Sequence, residues 1–155
     1  MLLKGKKTIV TGGARGIGQE IVLEFLRQGA SVYFIDLNPS EHLAQMEEAA
    51  RAGGGTVAFR QANVAAQSEI VPVVEGIIQE AGSLEVLVNN AGITRDGLFF
   101  RMSLENWEKV LSINLTSAFL ISQVVARHMA KQKCGSIVNV ASVVGVGGNG
   151  GQANY

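Results

Sequence analysis

Thr8-Ile9-Val10-Thr11-Gly12-Gly13-Ala14-Arg15-Gly16-Ile17-Gly18-Gln19-Glu20-Ile21-Val22 decides the fold. An apolar burst of strand length runs into glycines and emerges in a stretch with Ile21, Val22, Phe25 and Leu26 at helical spacing, ended by Gly29. A glycine turn between a strand and a helix is the context of a dinucleotide-binding loop. In that reading Gly12 permits a tight turn, Gly16 lets the backbone approach a pyrophosphate, and Gly18 lets the helix lie close to the strand. Arg15 and Ile17 complete the loop. No Gly-Lys-Ser/Thr follows, which argues against a nucleoside triphosphate loop.

Outward from that turn, strand-length apolar runs alternate with helical stretches, the pattern of repeated βαβ units and a parallel sheet. Strands are expected at Thr8–Thr11, Ser31–Asp36, Thr56–Gln61, Leu84–Asn89 and Ser136–Ala141. After Asp36 a helix is expected to open with Asn38 as cap and Pro39 in the first turn, and to stop at Gly53-Gly54-Gly55. Pro72 removes a backbone donor from the next helix, near Ser68–Ala81. A long helix starts at about Ser103 and is broken near Ile113-Asn114, with Leu111, Leu115, Ala118, Ser122, Val125 and Met129 expected along one face. Val143–Gly151, with five glycines, reads as a flexible connection. The fold class is therefore α/β: one doubly wound, Rossmann-type parallel sheet of order 3-2-1-4-5 over residues 1–155.

Composition narrows the function. Lys+Arg and Asp+Glu are both 13, so no net charge calls for nucleic acid or an anionic membrane. The single cysteine, Cys134, has no internal disulfide partner, and His42 and His128 lack ligand neighbours, so a metal site is not expected and both histidines read as solvated. The opening Met1-Leu2-Leu3 meets Lys4, Lys6 and Lys7 without a cleavable leader pattern. No apolar run is expected to reach the roughly 20 residues that a membrane helix needs, and a cytoplasmic protein is expected.

Residues able to carry chemistry sit at the expected ends of strands. Asp36 lies eighteen residues beyond Gly18, where a carboxylate can accept hydrogen bonds from an adenosine ribose, although a turn or capping carboxylate is the competing reading. It favours NAD(H). Arg15 could instead pair with a 2′-phosphate, which keeps NADP(H) open. Asn63 and Val64 follow the third strand, and Asn90, Ala91 and Gly92 the fourth, as small or amide groups that can pass beneath a nucleotide. Asn114 interrupts a helix for which asparagine is a poor former. Ser142 and Tyr155, thirteen positions apart, offer a hydroxyl and a phenol suited to holding and protonating a carbonyl oxygen. Arg127, His128, Lys131 and Lys133 form a basic helix end, for which a solvated terminus favoured by the dipole is the plain alternative.

Taken together, Thr11–Gly18, Asn89–Gly92, Asn114, Ser142 and Tyr155 resemble the short-chain dehydrogenase/reductase family over essentially the whole chain. Asn89-Asn90-Ala91-Gly92-Ile93-Thr94-Arg95-Asp96, Asn63, and Gly148–Tyr155 are similar to the branch that reduces 3-oxoacyl groups on acyl-carrier protein. The resemblance implies a nicotinamide coenzyme, Tyr155 as proton donor, Ser142 on the carbonyl oxygen, Asn114 anchoring a water-linked proton path, and Gln152 with Ser142 and Tyr155 beside the substrate. It also implies an acidic carrier protein as partner, with docking candidates Lys131 and Lys133, and a homotetramer. The family lysine four residues beyond the tyrosine falls past Tyr155, so a truncated and inactive form is expected. Another substrate class within the family, or a noncatalytic dinucleotide-binding module, remains open.

Overall fold

The computed structural model describes residues 1–155. Five strands, β1 (Lys7–Thr11), β2 (Ser31–Asp36), β3 (Val57–Gln61), β4 (Val86–Asn89) and β5 (Ser136–Asn139), form one parallel sheet of order β3-β2-β1-β4-β5. Registers such as Thr8 against both Val32 and Val86 put β1 at the centre. Helices α1 (Gly16–Arg27), α2 (Leu43–Gly53), α3 (Gln67–Ala81), α4 (Leu104–Leu111), α5 (Ser117–Gln132) and the single turn α6 (Val144–Gly147) complete the chain.

Alternation along the strands explains the layers, because successive side chains leave opposite faces. Ile9, Tyr33, Ile35 and Leu87 point to one face, where they meet Ile70, Val74 and Ile77 of α3 and Ile121, Val125 and Met129 of α5. Val10, Val32, Phe34 and Val88 point to the other and meet Val22, Leu23 and Leu26 of α1 and Met46 and Ala50 of α2. A fully enclosed side chain such as Phe34 contributes about 1.5–3 kcal/mol through removal from water. Both faces are covered, which is why the strands read as continuous apolar runs.

Several boundaries differ from the sequence reading. α2 begins at Leu43 rather than at Pro39: Ser40 is buried, its Oγ accepts the N–H of His42 and its carbonyl that of Leu43, so Ser40–Leu43 forms a turn ahead of the helix. Pro72 sits inside α3 without ending it. β5 stops at Asn139, two residues early, and Val143–Gly151 is not wholly irregular, since it holds α6.

The long helix differs most. Ser103 caps it by accepting the N–H of Asn106, and it is loosened rather than broken: a π-helical turn, Ser112–Thr116, links α4 to α5. A π turn inserts one extra residue, so the apolar stripe shifts by one position. Val110, Ser117, Ile121, Val125 and Met129 are buried, whereas Leu115, expected on the inner face, is exposed. The joined helix Leu104–Gln132 has 29 residues and a mean hydropathy of 1.4 over its most apolar window, which is long and apolar enough for a membrane crossing by length and composition, contrary to the sequence expectation. Its inner stripe packs on the sheet and α3, while most of the window is not buried. His128 is half-buried rather than solvated throughout: its Nε2 is enclosed without a partner. His42 is exposed, as expected.

Candidate functional site

At the C-terminal rim of the sheet, where β1 and β4 lie side by side while their crossovers leave in opposite directions, an open crevice of about 1440 Å³ gathers the candidate residues. Gly12, Arg15, Gly16, Ile17, Gly18, Asp36, Asn63, Val64, Asn90, Ala91, Gly92, Asn114, Ser142 and Tyr155 all line it. Such a switch point is where open α/β sheets bind ligands.

The floor is sewn together by Thr11 at the end of β1 and Asn90 just past the end of β4. Thr11 Oγ1 accepts the backbone N–H groups of Asn90 and Ala91, both at 3.1 Å, and Asn90 Nδ2 donates to the carbonyls of Thr11 and Gly12 at 3.1 and 3.2 Å. Gly18 must be glycine in this arrangement, since a Cβ there would stand 2.0 Å from Gly12 O and 2.5 Å from Asn90 Nδ2. Gly16 has φ +56 and open space around its Cα, so backbone is presented there with no side chain in the way. Arg15 takes the cap position of α1 without any side-chain cap bond, leaving the first-turn N–H groups available to an anion.

Asp36 is pinned at the end of β2. Its Oδ2 accepts the Ala14 N–H at 3.0 Å and its Oδ1 the N–H of Leu37 at 2.8 Å. Both sequence readings meet here: the carboxylate is a turn residue, and each oxygen keeps acceptor capacity toward the crevice. Asn63 forms a local turn, its Oδ1 accepting Ala65 N–H at 3.0 Å, while Val64 is buried in the wall. The cradle, the uncapped helix start and the carboxylate at the second strand's end together fit a nicotinamide dinucleotide.

The other half of the crevice carries the hydroxyls. Asn114 lies in the π turn, and its side chain makes a two-bond clasp with Ile93: Oδ1 accepts the backbone N–H and Nδ2 donates to the carbonyl, both at 2.9 Å. The loop after β4 is thereby fixed to the long helix. Ser142 Oγ accepts the Val144 N–H at 3.2 Å, which leaves its own hydroxyl proton free to donate. Tyr155 lines the same space and remains partly exposed.

Some expected residues are not brought in. Gln152 lies off the crevice: Nε2 donates to both carboxylate oxygens of Asp96 at 3.1 Å, and Oε1 accepts from Asn149 at 3.0 Å. Lys131 and Lys133 sit where α5 leads into the start of β5, at the opposite rim. The 16 residues of α5 span about 24 Å at 1.5 Å per residue, so these lysines do not border the site. Two further amides lie within the motif stretches without a role assigned from sequence. Buried Asn89 donates to Ser122 Oγ at 2.9 Å and Asn139 Oδ1 at 2.8 Å, and its own Oδ1 has no partner. Asn154 is 5 % exposed and borders the crevice. An amide beside a family motif looks like turn chemistry in sequence, and only the partners reveal otherwise.

Comparison with known proteins agrees with this geometry. The family model described as short chain dehydrogenase matches residues 6–155. A 3-oxoacyl-[acyl-carrier-protein] reductase of Thermotoga maritima is 45% identical over 155 residues, covering 100% of this chain and 63% of the relative. The reductase of that name from Aquifex aeolicus is 43% identical over 153 residues, covering 99% of this chain and 62% of the relative. A crystal structure from Sinorhizobium meliloti 1021, described as a short-chain alcohol dehydrogenase, superposes with a TM-score of 0.90 at 30% identity, over 99% of this chain and 60% of that one. The chain thus spans under two thirds of the length of these relatives.

Proposed function

The chain belongs to the short-chain dehydrogenase family, and from that premise we propose that it is the coenzyme-binding and proton-donating part of a reductase for 3-oxoacyl groups carried on acyl-carrier protein. The observation that carries the reading is one crevice holding both the glycine cradle and the Ser142 and Tyr155 hydroxyls. The bound coenzyme would supply a hydride to the carbonyl carbon. Ser142 donates a hydrogen bond to the carbonyl oxygen, and Tyr155 transfers its phenolic proton to that oxygen as charge develops, leaving a 3-hydroxyacyl product. Asn114, clasped to Ile93, fixes the crevice wall at the loop after β4, and in this reading it anchors a water-linked proton path to the phenol.

Asp36 supports NADH over NADPH, since a 2′-phosphate would meet its carboxylate, while exposed Arg15 is the one cation in the loop that could compensate. The docking role considered for Lys131 and Lys133 loses support from their distance to the crevice. Exposed apolar residues Leu104, Leu115 and Phe119 on the long helix support a contact with a further copy of the chain, as the homotetramer of this reading requires, and a cytoplasmic location accompanies this reading.

The test is calorimetric titration of the chain with NADH and NADPH, joined to turnover of acetoacetyl thioesters on carrier protein and on coenzyme A. Micromolar binding with preference for the carrier-linked substrate is expected. Binding without turnover of any thioester, in this chain and in any longer open reading frame that contains it, would favour a noncatalytic module, and no binding at all would end the proposal.

A further inference from the structure

Residues 149–155 are held against the loop after β4 by three separate contacts. The backbone N–H of Gly97 donates to Gly151 O at 2.8 Å. Gln152 Nε2 forks onto the Asp96 carboxylate at 3.1 and 3.1 Å. Asn154 Nδ2 donates to Arg95 O at 3.0 Å and to Asn106 O at 3.3 Å. Asn154 thus bridges the loop that follows the crevice floor and the first turn of α4, and it does so from a nearly enclosed position, 5 % exposed. Every other residue from 145 to 155 is partly or fully exposed, so this amide is the buried anchor of the segment.

We propose that Asn154 is a positioning residue for the adjacent Tyr155, with the Asp96–Gln152 pair as an outer clamp, a role that rests on reading Tyr155 as the proton donor. The preceding segment is poor at holding a side chain in place. It carries glycine at 145, 147, 148, 150 and 151, and its only regular structure is the four-residue α6. A phenol at the end of such a segment samples many positions unless something fixes the backbone beside it, and proton transfer needs an approach within about 2.6–3.2 Å. The two carbonyls that receive Asn154 belong to structure already fixed: Arg95 follows the Asn114–Ile93 clasp, and Asn106 lies in α4. The chain of positioning therefore runs from the π turn through Ile93 and Arg95 to Asn154 and Tyr155. The solvent-exposed Asp96–Gln152 pair adds direction rather than much stability, since exposed hydrogen bonds compete with water.

The experiment uses the full chain, and any longer open reading frame that contains it, with Asn154→Ala, Asn154→Asp, Asp96→Ala and Asp96→Asn. The chain has only two tyrosines, so fluorotyrosine labelling gives two fluorine resonances, assigned with Tyr33→Phe. Asn154→Ala and the isosteric Asn154→Asp, which lacks the donor, are expected to shift or broaden the Tyr155 resonance, leave that of Tyr33 in place, and speed amide exchange at Gly97 and 149–155 at least tenfold. In the active protein kcat falls at least tenfold with the KM for coenzyme changed less than twofold. Asp96→Ala gives a smaller effect of the same kind, and Asp96→Asn, which still accepts from Gln152, restores most of it. An unchanged Tyr155 resonance in both Asn154 variants, or a fall in coenzyme affinity matching that in kcat, would overturn the proposal. If the unsubstituted protein reduces no carbonyl, the functional reading fails, while resonance and exchange still decide whether Asn154 holds Tyr155.

Discussion

Single residues in the cradle carry consequences out of proportion to their size. Gly18→Ala would drive a methyl carbon to 2.0 Å from a backbone oxygen, so the β1–α1 junction must open. A loss of about 1–3 kcal/mol in urea denaturation is expected from such overpacking, with coenzyme affinity reduced at least tenfold by calorimetry. Asp36→Ala removes the acceptor of the Ala14 N–H as well as the proposed ribose acceptor, so both coenzymes should bind more weakly, NADH the more so. An unchanged ratio of the two dissociation constants would take Asp36 out of ribose recognition. Away from the crevice, burial and then the neighbouring Glu80 carboxylate raise the Tyr33 phenol above its ordinary value, with the Arg60 guanidinium acting in the opposite sense. The neutral phenol is therefore favoured by folding. Its contribution is whole below pH about 10, the unfolded value, and is lost as pH rises through the folded one. Tyr33→Phe should accordingly lose stability less steeply than the parent above that pH, as read from urea midpoints along an alkaline series.

Among the elements, the long helix with its π turn organises the site. Asn114→Ala strips both partners from the Ile93 backbone, leaving a half-buried N–H and carbonyl unpaired. A loss of about 1–3 kcal/mol is expected from the unpaired groups, with faster amide exchange at Ile93 as the local signature. This element also shows where sequence reading ends. Helix-breaking character at Asn114 is legible from propensity, but an inserted residue is not, so periodicity puts the stripe through Leu115 whereas burial runs through Ser117 and Ile121. The glycine loop, the strand order and the rim residues were legible because each depends on local chemistry or on crossover handedness. Gln152 and Asn154 were not, because their partners Asp96, Arg95 and Asn106 lie 48 to 59 positions away. The late start of α2 escaped for a smaller reason: one buried hydroxyl at Ser40 outweighed a proline well suited to a first turn.

For the molecule as a whole, the crevice links binding to global stability, since its walls come from β1, β2, β4, the long helix and the segment after β5. A ligand that occupies it at 100 times its dissociation constant stabilises the fold by about 2.7 kcal/mol. For a domain of this size that is a rise of roughly 5–10 °C in Tm, which a thermal melt with and without NADH would read. The Gly18→Ala chain should show little of this rise.

The order β3-β2-β1-β4-β5 also sets a timetable for biosynthesis. The first three strands can assemble from the leading 61 residues, but the seam between Asn90 and Thr11 joins positions 79 apart. A ribosome adding about 5–20 residues per second needs roughly 1.5–6 s to move from the end of β3 to that asparagine. During that interval the emerging chain holds a central strand with one open side, vulnerable to wrong pairing and unable to recruit its coenzyme. Arrival of β4 closes the gap and creates the cradle in the same event, so competence to bind reports directly that this slow, long-range step is done.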